Sequence, residues 1–470
     1  MTDPTASPLP PSRPPSRPPN PWGDEHETVE AVLGWAAGRV SRASDPKTSA
    51  WSAAELTAAT GQTITPEGMG SARALAVLDE VLVPATRAQD DPMNLAYIPA
   101  APTRAAIAFE LATSAANIYA GLWECGAGAI HAENQALAWI AELLGWPPTA
   151  GGCFMSGGTS GNLSALAAAR HDAQTRHGRP KGRWLVACSA GAHASIRSAA
   201  LVMDVEVVDV EVDVCGRMTG AALAAAIDQH AAGEGSDDRV FAVVASAGTT
   251  NAGVVDDLAG IADVCERRGV WLHVDGAYGG GALAAPSVRH LFAGIDRADS
   301  FIVDPHKWLF APYDCCALVY RRPELAQAAH SQRAAYLDEV DRSEWNPSDY
   351  GVHLSRRARG LPFWFSLAVH GTNAYRDAVE ASLTTARVVA QAIQERPFLR
   401  LVQEPELSVL LFERLGWTGA DYAAWSRQEA KAGTILCIPT RWLGESVLRL
   451  VFVNPLTDPA AVVAALDTLQ

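Results

Sequence analysis

Eight cysteines, at 125, 153, 188, 215, 265, 315, 316 and 437, include no CxxC pair. That absence removes the zinc patterns, and eight thiols in 470 residues are too sparse for a disulfide scaffold. They read as buried free thiols in a reducing compartment, and no metal site is expected. No run of Lys and Arg is longer than a pair and the formal net charge is −15, so polyanions find no basic patch. The opening PTASPLPPSRPPSRPPNPW lacks the apolar core of a signal peptide, and no later apolar stretch is long enough to span a bilayer. A soluble, cytoplasmic protein without nucleic-acid or membrane partners is expected. What the chain does have is 49% hydrophobic content over 470 residues, enough for one large core and smaller ones beside it.

Residues 1–22 are too rich in proline and serine to offset their ordering entropy, and read as a disordered tail. The segment 23–100 is expected to be helical: ETVEAVLGWAAGRV and SARALAVLDEVLVPATR both place apolar residues three and four apart. These helices are too short to build a core alone and are expected to pack on another domain or subunit. From about 150 to 320, short β-branched runs alternate with alanine-rich helical stretches, the mark of a mainly parallel sheet wrapped by helices. The runs are RWLVACS, DVEVVDVEV, RVFAVVAS, VWLHVD and DSFIVD. A large domain over 101–361 and a small α+β domain over 362–470, with strands in ELSVLLFERL and SVLRLVFV, complete the expected layout.

In such sheets ligands sit at the carboxyl ends of the strands. SGGTSGN at 156–162 runs straight into a helical segment, which places Gly158, Thr159 and Ser160 to meet an anion at a helix start. The alternative is a Gly-Ser loop that merely caps a helix, and the Walker lysine is missing. WLHVDGAYGG ends an apolar strand in Asp275, followed by the small Gly276 and Ala277; this carboxylate either caps a turn or pairs with a protonated ring nitrogen. DSFIVDPHKWL puts His306 and Lys307 directly after a buried strand, where an amine needs a partner or must lose its charge, as it does on becoming an imine. CSAGAHASI sets His193 between strand and helix, a position that suits packing as well as chemistry. An anion loop, a strand-end acid and a strand-end lysine together meet the needs of pyridoxal 5'-phosphate.

With these motifs in place, HVDGAYGG, ADSFIVDPHKWLFAPYDCCALVYR and SRRARGLPFW make the chain similar, from about Pro92 to the C-terminus, to the group II pyridoxal-phosphate-dependent amino acid decarboxylases. The resemblance implies the fold of the aspartate-aminotransferase-like (fold type I) enzymes, and a homodimer whose two copies share the active site. It assigns Lys307 to cofactor attachment and Asp275 to the pyridine nitrogen. His193 and Ala277 fall on the two faces of the ring, Gly158, Thr159 and His306 at the phosphate, and Thr250 near the ring oxygen. Tyr336 matches a proton-donating tyrosine on a mobile loop, here at about 326–350.

The same resemblance implies release of carbon dioxide and an amine from a free L-amino acid. Tyr97, Ile98 and Tyr313, with Trp308 nearby, fall at pocket positions and favour an aromatic substrate. Asp304, Asp91-Pro92, Ile98 and Ala100 depart from the usual pattern, and acidic or diamino substrates stay open. So do an aldehyde synthase, a lyase, an aminotransferase and a catalytically silent cofactor-binding protein.

Overall fold

The computed structural model describes residues 22–23, 25–47, 49–231, 237–332 and 343–470. It divides into two compact units, one of residues up to 42 with 51–85, the other of 43–50 with 86–470. The smaller unit holds α1 (His26–Ser41), α2 (Ala53–Thr60) and α3 (Ser71–Val77), the last running into a wider π-type turn at Leu78–Leu82. The Trp35 indole donates to Asp79 at 2.8 Å and ties α1 to that turn. Helices were expected throughout 23–100, but 86–100 belongs with the larger unit. There the chain forms turns and a single bridge and no helix: Leu95 N–H donates to the Leu436 carbonyl, and Leu436 N–H to that of Met93. Those partners satisfy backbone groups that a helix would have bonded internally.

The large unit is built on a seven-stranded sheet: β1 (Gly151–Met155), β2 (Trp184–Ser189), β3 (Glu206–Val210), β4 (Arg239–Ser246), β5 (Trp271–Asp275), β6 (Ser300–Val303) and β7 (Cys316–Tyr320). The spatial order is β1-β7-β6-β5-β4-β2-β3, parallel from β6 to β3, with β7 antiparallel to both neighbours. All five expected runs are strands, and β1 and β7 add an edge that the sequence reading did not include. Around the sheet lie α4 (Arg104–Ala116), α5 (Trp123–Leu144), α6 (Gly158–His177), α7 (Ala194–Met203), α8 (Gly220–Ala231), α9 (Leu258–Arg268) and α10 (Pro323–His330). Strand side chains alternate in direction. Hence Val243 and Ala245 join one buried cluster while Ala242 and Val244 join the other, on the opposite face. Covered on both faces, these strands are nearly continuous apolar runs.

The chain then forms α11 (Leu361–Gln394), broken at Gly371, whose φ of 75° suits glycine. It ends in β8 (Leu399–Leu401), β9 (Val409–Arg414), α12 (Gly419–Ala432), β10 (Ile438–Trp442), β11 (Glu445–Val451) and α13 (Pro459–Asp467). The four strands pair antiparallel in the order β10-β11-β9-β8 around a third core cluster, the small α+β domain that was expected. Thr418 caps α12 in a reciprocal box with Asp421, whose carboxylate accepts the Thr418 N–H at 2.8 Å. Thr418→Ala is therefore expected to lower stability by about 1 kcal/mol, seen as an earlier midpoint in urea unfolding.

Between these domains, SRRARGLPFW supplies Arg356 to a buried bidentate pair with Glu133 of α5. The two contacts are 2.7 and 2.8 Å. Glu133 also accepts the Gly360 N–H at 2.8 Å, and Arg356 donates to the Ala120 carbonyl at 2.9 Å. Burial alone would lower the Arg356 pKa, but Glu133 outweighs it and the value is raised.

Both ends of the segment 326–350, expected as a mobile loop, are held in place. Ala326–His330 lies in α10, where His330 Nε2 is 3.0 Å from the Ser164 carbonyl. Trp345 stacks on Tyr350 at 4.1 Å and donates to the Gly152 carbonyl at 3.0 Å. Residues 333–342, Tyr336 among them, lie outside the described residues.

Candidate active site

β1 climbs to Ser156, and α6 starts two residues later at Gly158. The first amides of a helix have no acceptor within it and carry the positive end of its dipole. A Cβ on Gly158 would stand 3.2 Å from Ile302, 3.3 Å from the Ala277 methyl and 3.3 Å from Asp304 Oδ2. The missing side chain thus leaves a cradle where α6, the turn after β5 and the end of β6 converge. Thr159 is exposed beside it.

Lys307 sits on the same floor. Its Nζ is 2.9 Å from Asp304 Oδ2, a carboxylate only 3% exposed. Burial pulls the ammonium pKa down, yet Asp304, with Asp275 behind it, overcomes this and raises the value. Lys307 therefore rests as a charged amine inside the protein. Asp304 Oδ1 is buried with no hydrogen-bond partner among the described residues, and the Cys316 thiol lies close to the same carboxylate. His306 Nε2 lies 3.6 Å from Asp304, and its Nδ1 2.7 Å from the Cys315 carbonyl. Burial lowers its pKa, so the ring is neutral near pH 7.

Asp275, at the end of β5, accepts the Ala277 N–H at 3.0 Å and an Asn162 Nδ2–H at 2.9 Å. Asn162 also bonds Ser195 Oγ at 2.9 Å, and Ser195 Oγ is 2.8 Å from His193 Nδ1. On its other side Asn162 Oδ1 is 2.8 Å from His273 Nε2. One buried string of hydrogen bonds therefore links the expected residues Asp275 and His193. Asn162, Ser195 and His273 were not singled out in the sequence. Their signal was a polar side chain placed on the inner face of a helix or strand.

Thr250 and Tyr97 meet through another residue that sequence reasoning missed. Arg449, in the apolar strand β11, donates to the carbonyls of Thr250, Tyr97 (2.8 Å) and Asn251 (3.1 Å). Burial lowers its pKa to about 10. The Tyr97 ring is exposed, and Ile98 is buried in the main core. Tyr313 is 50% exposed, with its ring 4.7 Å from that of His306. Trp308, expected near the pocket, is instead buried and stacked on Tyr278 at 5.3 Å, so it supports the site from behind.

A glycine cradle at a helix start, a buried ammonium and a strand-end carboxylate fit pyridoxal phosphate, and the large domain with its small α+β partner is the fold of enzymes that carry it. The chain belongs to the pyridoxal-dependent decarboxylases, whose conserved domain matches residues 72–414. It is 32% identical over 329 residues to an aromatic-L-amino-acid decarboxylase of Bacillus atrophaeus, covering 69% of this chain and 67% of that one. It is equally 32% identical over 416 residues to the L-2,4-diaminobutyrate decarboxylase of Rhizobium meliloti (strain 1021), covering 86% and 82%. Among solved structures, mouse CSAD superposes with a TM-score of 0.84 at 26% identity, covering 94% of this chain and 98% of that one. The protein is a pyridoxal-phosphate-dependent amino acid decarboxylase. Among the described residues no helix is long and apolar enough to cross a membrane.

Proposed function

We propose that this decarboxylase acts on an aromatic L-amino acid, releasing carbon dioxide and the corresponding amine. The observation that carries this reading is Tyr313: a half-exposed aromatic face packed on His306 beside the reactive amine, with no cationic group stacked on it among the described residues. The similarity to the Bacillus atrophaeus enzyme supports it. A diamino acid is the second reading, favoured by the greater coverage of the Rhizobium meliloti relative.

In this reading Lys307 holds the cofactor aldehyde and Asp275 faces the ring nitrogen. His193 and Ala277 would hold the ring between them, with Thr250 beside it, and the start of α6 with Gly158, Thr159 and His306 would hold the phosphate. The bound cofactor supplies a ring that accepts the electron pair left when carbon dioxide departs. The chain does the rest: Asp275 keeps a negative charge at the ring's far end, and Tyr336 delivers a proton to the substrate α-carbon. The segment around Tyr336 excludes water from the site. Two copies of the chain share each site in a cytoplasmic dimer.

The test is a screen with added pyridoxal phosphate over aromatic, diamino and acidic amino acids, with carbon dioxide and amine measured together. Equal amounts of both from an aromatic amino acid are expected. Amine from 2,4-diaminobutyrate with none from any aromatic would reverse the assignment, and aldehyde in place of amine would move the reaction to the oxidative class.

Asp304 gives a separate expectation. Removing its charge in Asp304→Asn leaves burial as the main influence on Lys307, so the amine pKa falls. The free-amine fraction at pH 7 then rises roughly tenfold for each unit of that fall. Apo protein carrying Asp304→Asn should capture pyridoxal phosphate faster at neutral pH, with a pH profile displaced downward, as followed by absorbance.

A further inference from the structure

The donors and acceptors around Asn162 can be assigned one by one, because the string meets groups that can only donate or only accept. At one end the Trp271 indole N–H donates to Ser300 Oγ at 2.8 Å. Ser300 Oγ is also 2.8 Å from His273 Nδ1, and the same ring makes a further hydrogen bond to the Ser300 backbone. Burial pushes the His273 pKa down to about 4 against the pull of Asp275, so the ring is neutral. Asp275 Oδ2 only accepts, so the Asn162 amide turns Nδ2 toward it and Oδ1 toward His273 Nε2, which therefore carries the ring proton and donates it to Oδ1. Both Nδ2 hydrogens point the other way, one to Asp275 Oδ2 and one to Ser195 Oγ. Ser195, having accepted, donates its own proton to His193 Nδ1. At the far end the Ser195 backbone N–H, 3.2 Å from the same nitrogen, also can only donate. Both donors require His193 Nδ1 to be bare.

We propose that Asn162 is a positioning residue which, through this one-way string, holds His193 in the Nε2–H form, so that its ring meets the bound cofactor and substrate as a hydrogen-bond donor and not as a base. The same amide pins one oxygen of Asp275, so a single side chain sets both the ring-nitrogen partner and the polarity of the covering imidazole. His273, Ser300 and Trp271 form the buried backing that keeps the amide from turning over. The proposal rests on His193 lying against the cofactor. It does not depend on which amino acid is the substrate.

The test reads the tautomer directly. Apo protein labelled with nitrogen-15 in its histidine rings, with His193→Gln to assign the signal, should show His193 protonated at Nε2 and bare at Nδ1. Asn162→Leu and Ser195→Ala should each convert that signal to a mixture of tautomers. After loading with pyridoxal phosphate, each variant should lose about tenfold in kcat, the worth of one orienting hydrogen bond, while KM stays within about twofold. A wild-type signal with the proton on Nδ1 would overturn the proposal, as would variants with the parental tautomer. If Asn162→Leu does not fold, Ser195→Ala and the parent spectrum decide alone. Because the spectra are taken without substrate, a wrong substrate class leaves them unaffected.

Discussion

Lys307→Ala leaves a folded protein that attaches no pyridoxal phosphate covalently and releases carbon dioxide at least about 10⁴-fold more slowly than the parent. The size of the effect follows from the proposed role of Lys307 as the amine that bonds to the cofactor aldehyde. Lys307→Arg should be equally inactive, since a guanidinium keeps its charge throughout the accessible pH range. Removing the amine strands the buried Asp304 carboxylate, which destabilises the fold. The double variant Lys307→Ala/Asp304→Asn relieves that charge, and its native circular dichroism would separate loss of chemistry from loss of structure. Amine production by either variant at a rate near the parent's would remove Lys307 from the reaction.

The largest expected effect on stability lies at Glu133. Glu133→Ala takes away both oxygens that hold Arg356 and also the acceptor of the Gly360 N–H, while the guanidinium stays fully buried. Among the described residues the Arg356 Nε has no hydrogen-bond partner, and a neutral acceptor, the Ala120 carbonyl, is what remains to the guanidinium. An uncompensated buried charge of this kind costs about 3–5 kcal/mol. That is a large share of the roughly 5–15 kcal/mol that stabilises a folded protein. The urea midpoint should fall steeply. Replacing both partners by apolar groups, in Glu133→Leu/Arg356→Met, should restore much of the loss. A midpoint for Glu133→Ala within about 1 kcal/mol of the parent would show that water reaches the guanidinium.

The strands that carry the site were legible because each is a short β-branched run, and the residue closing it could be named from position alone. Asp275 and Lys307 were found in this way, and the structure brings both to the end of the sheet where Gly158 opens its cradle. β1 escaped because GGCFM contains no β-branched residue. β7 escaped because CALVY continues a motif already assigned to cofactor binding. The two pair antiparallel with each other, outside the parallel run of β-branched strands from which the sheet was read. Asn162, Ser195, His273 and Arg449 stayed hidden for a different reason. Periodicity assigns a side chain to a face, but the partner it meets there comes from a strand or helix 27 to 352 residues away. Trp308 was misplaced on the same ground, its neighbours in sequence being site residues while its ring turns back into the core.

The first turn of α6 also works as a gauge block. Gly158 at the cradle and Asn162 at Asp275 are four residues apart, about 6 Å along the axis and nearly above one another. A single inserted residue between them would swing the amide away by roughly 100°, breaking its alignment with the strand-end acid while leaving the glycine in place. Length changes that a surface loop absorbs are barred from this one turn, and the distance between the two anchor points is set by the pitch of a helix.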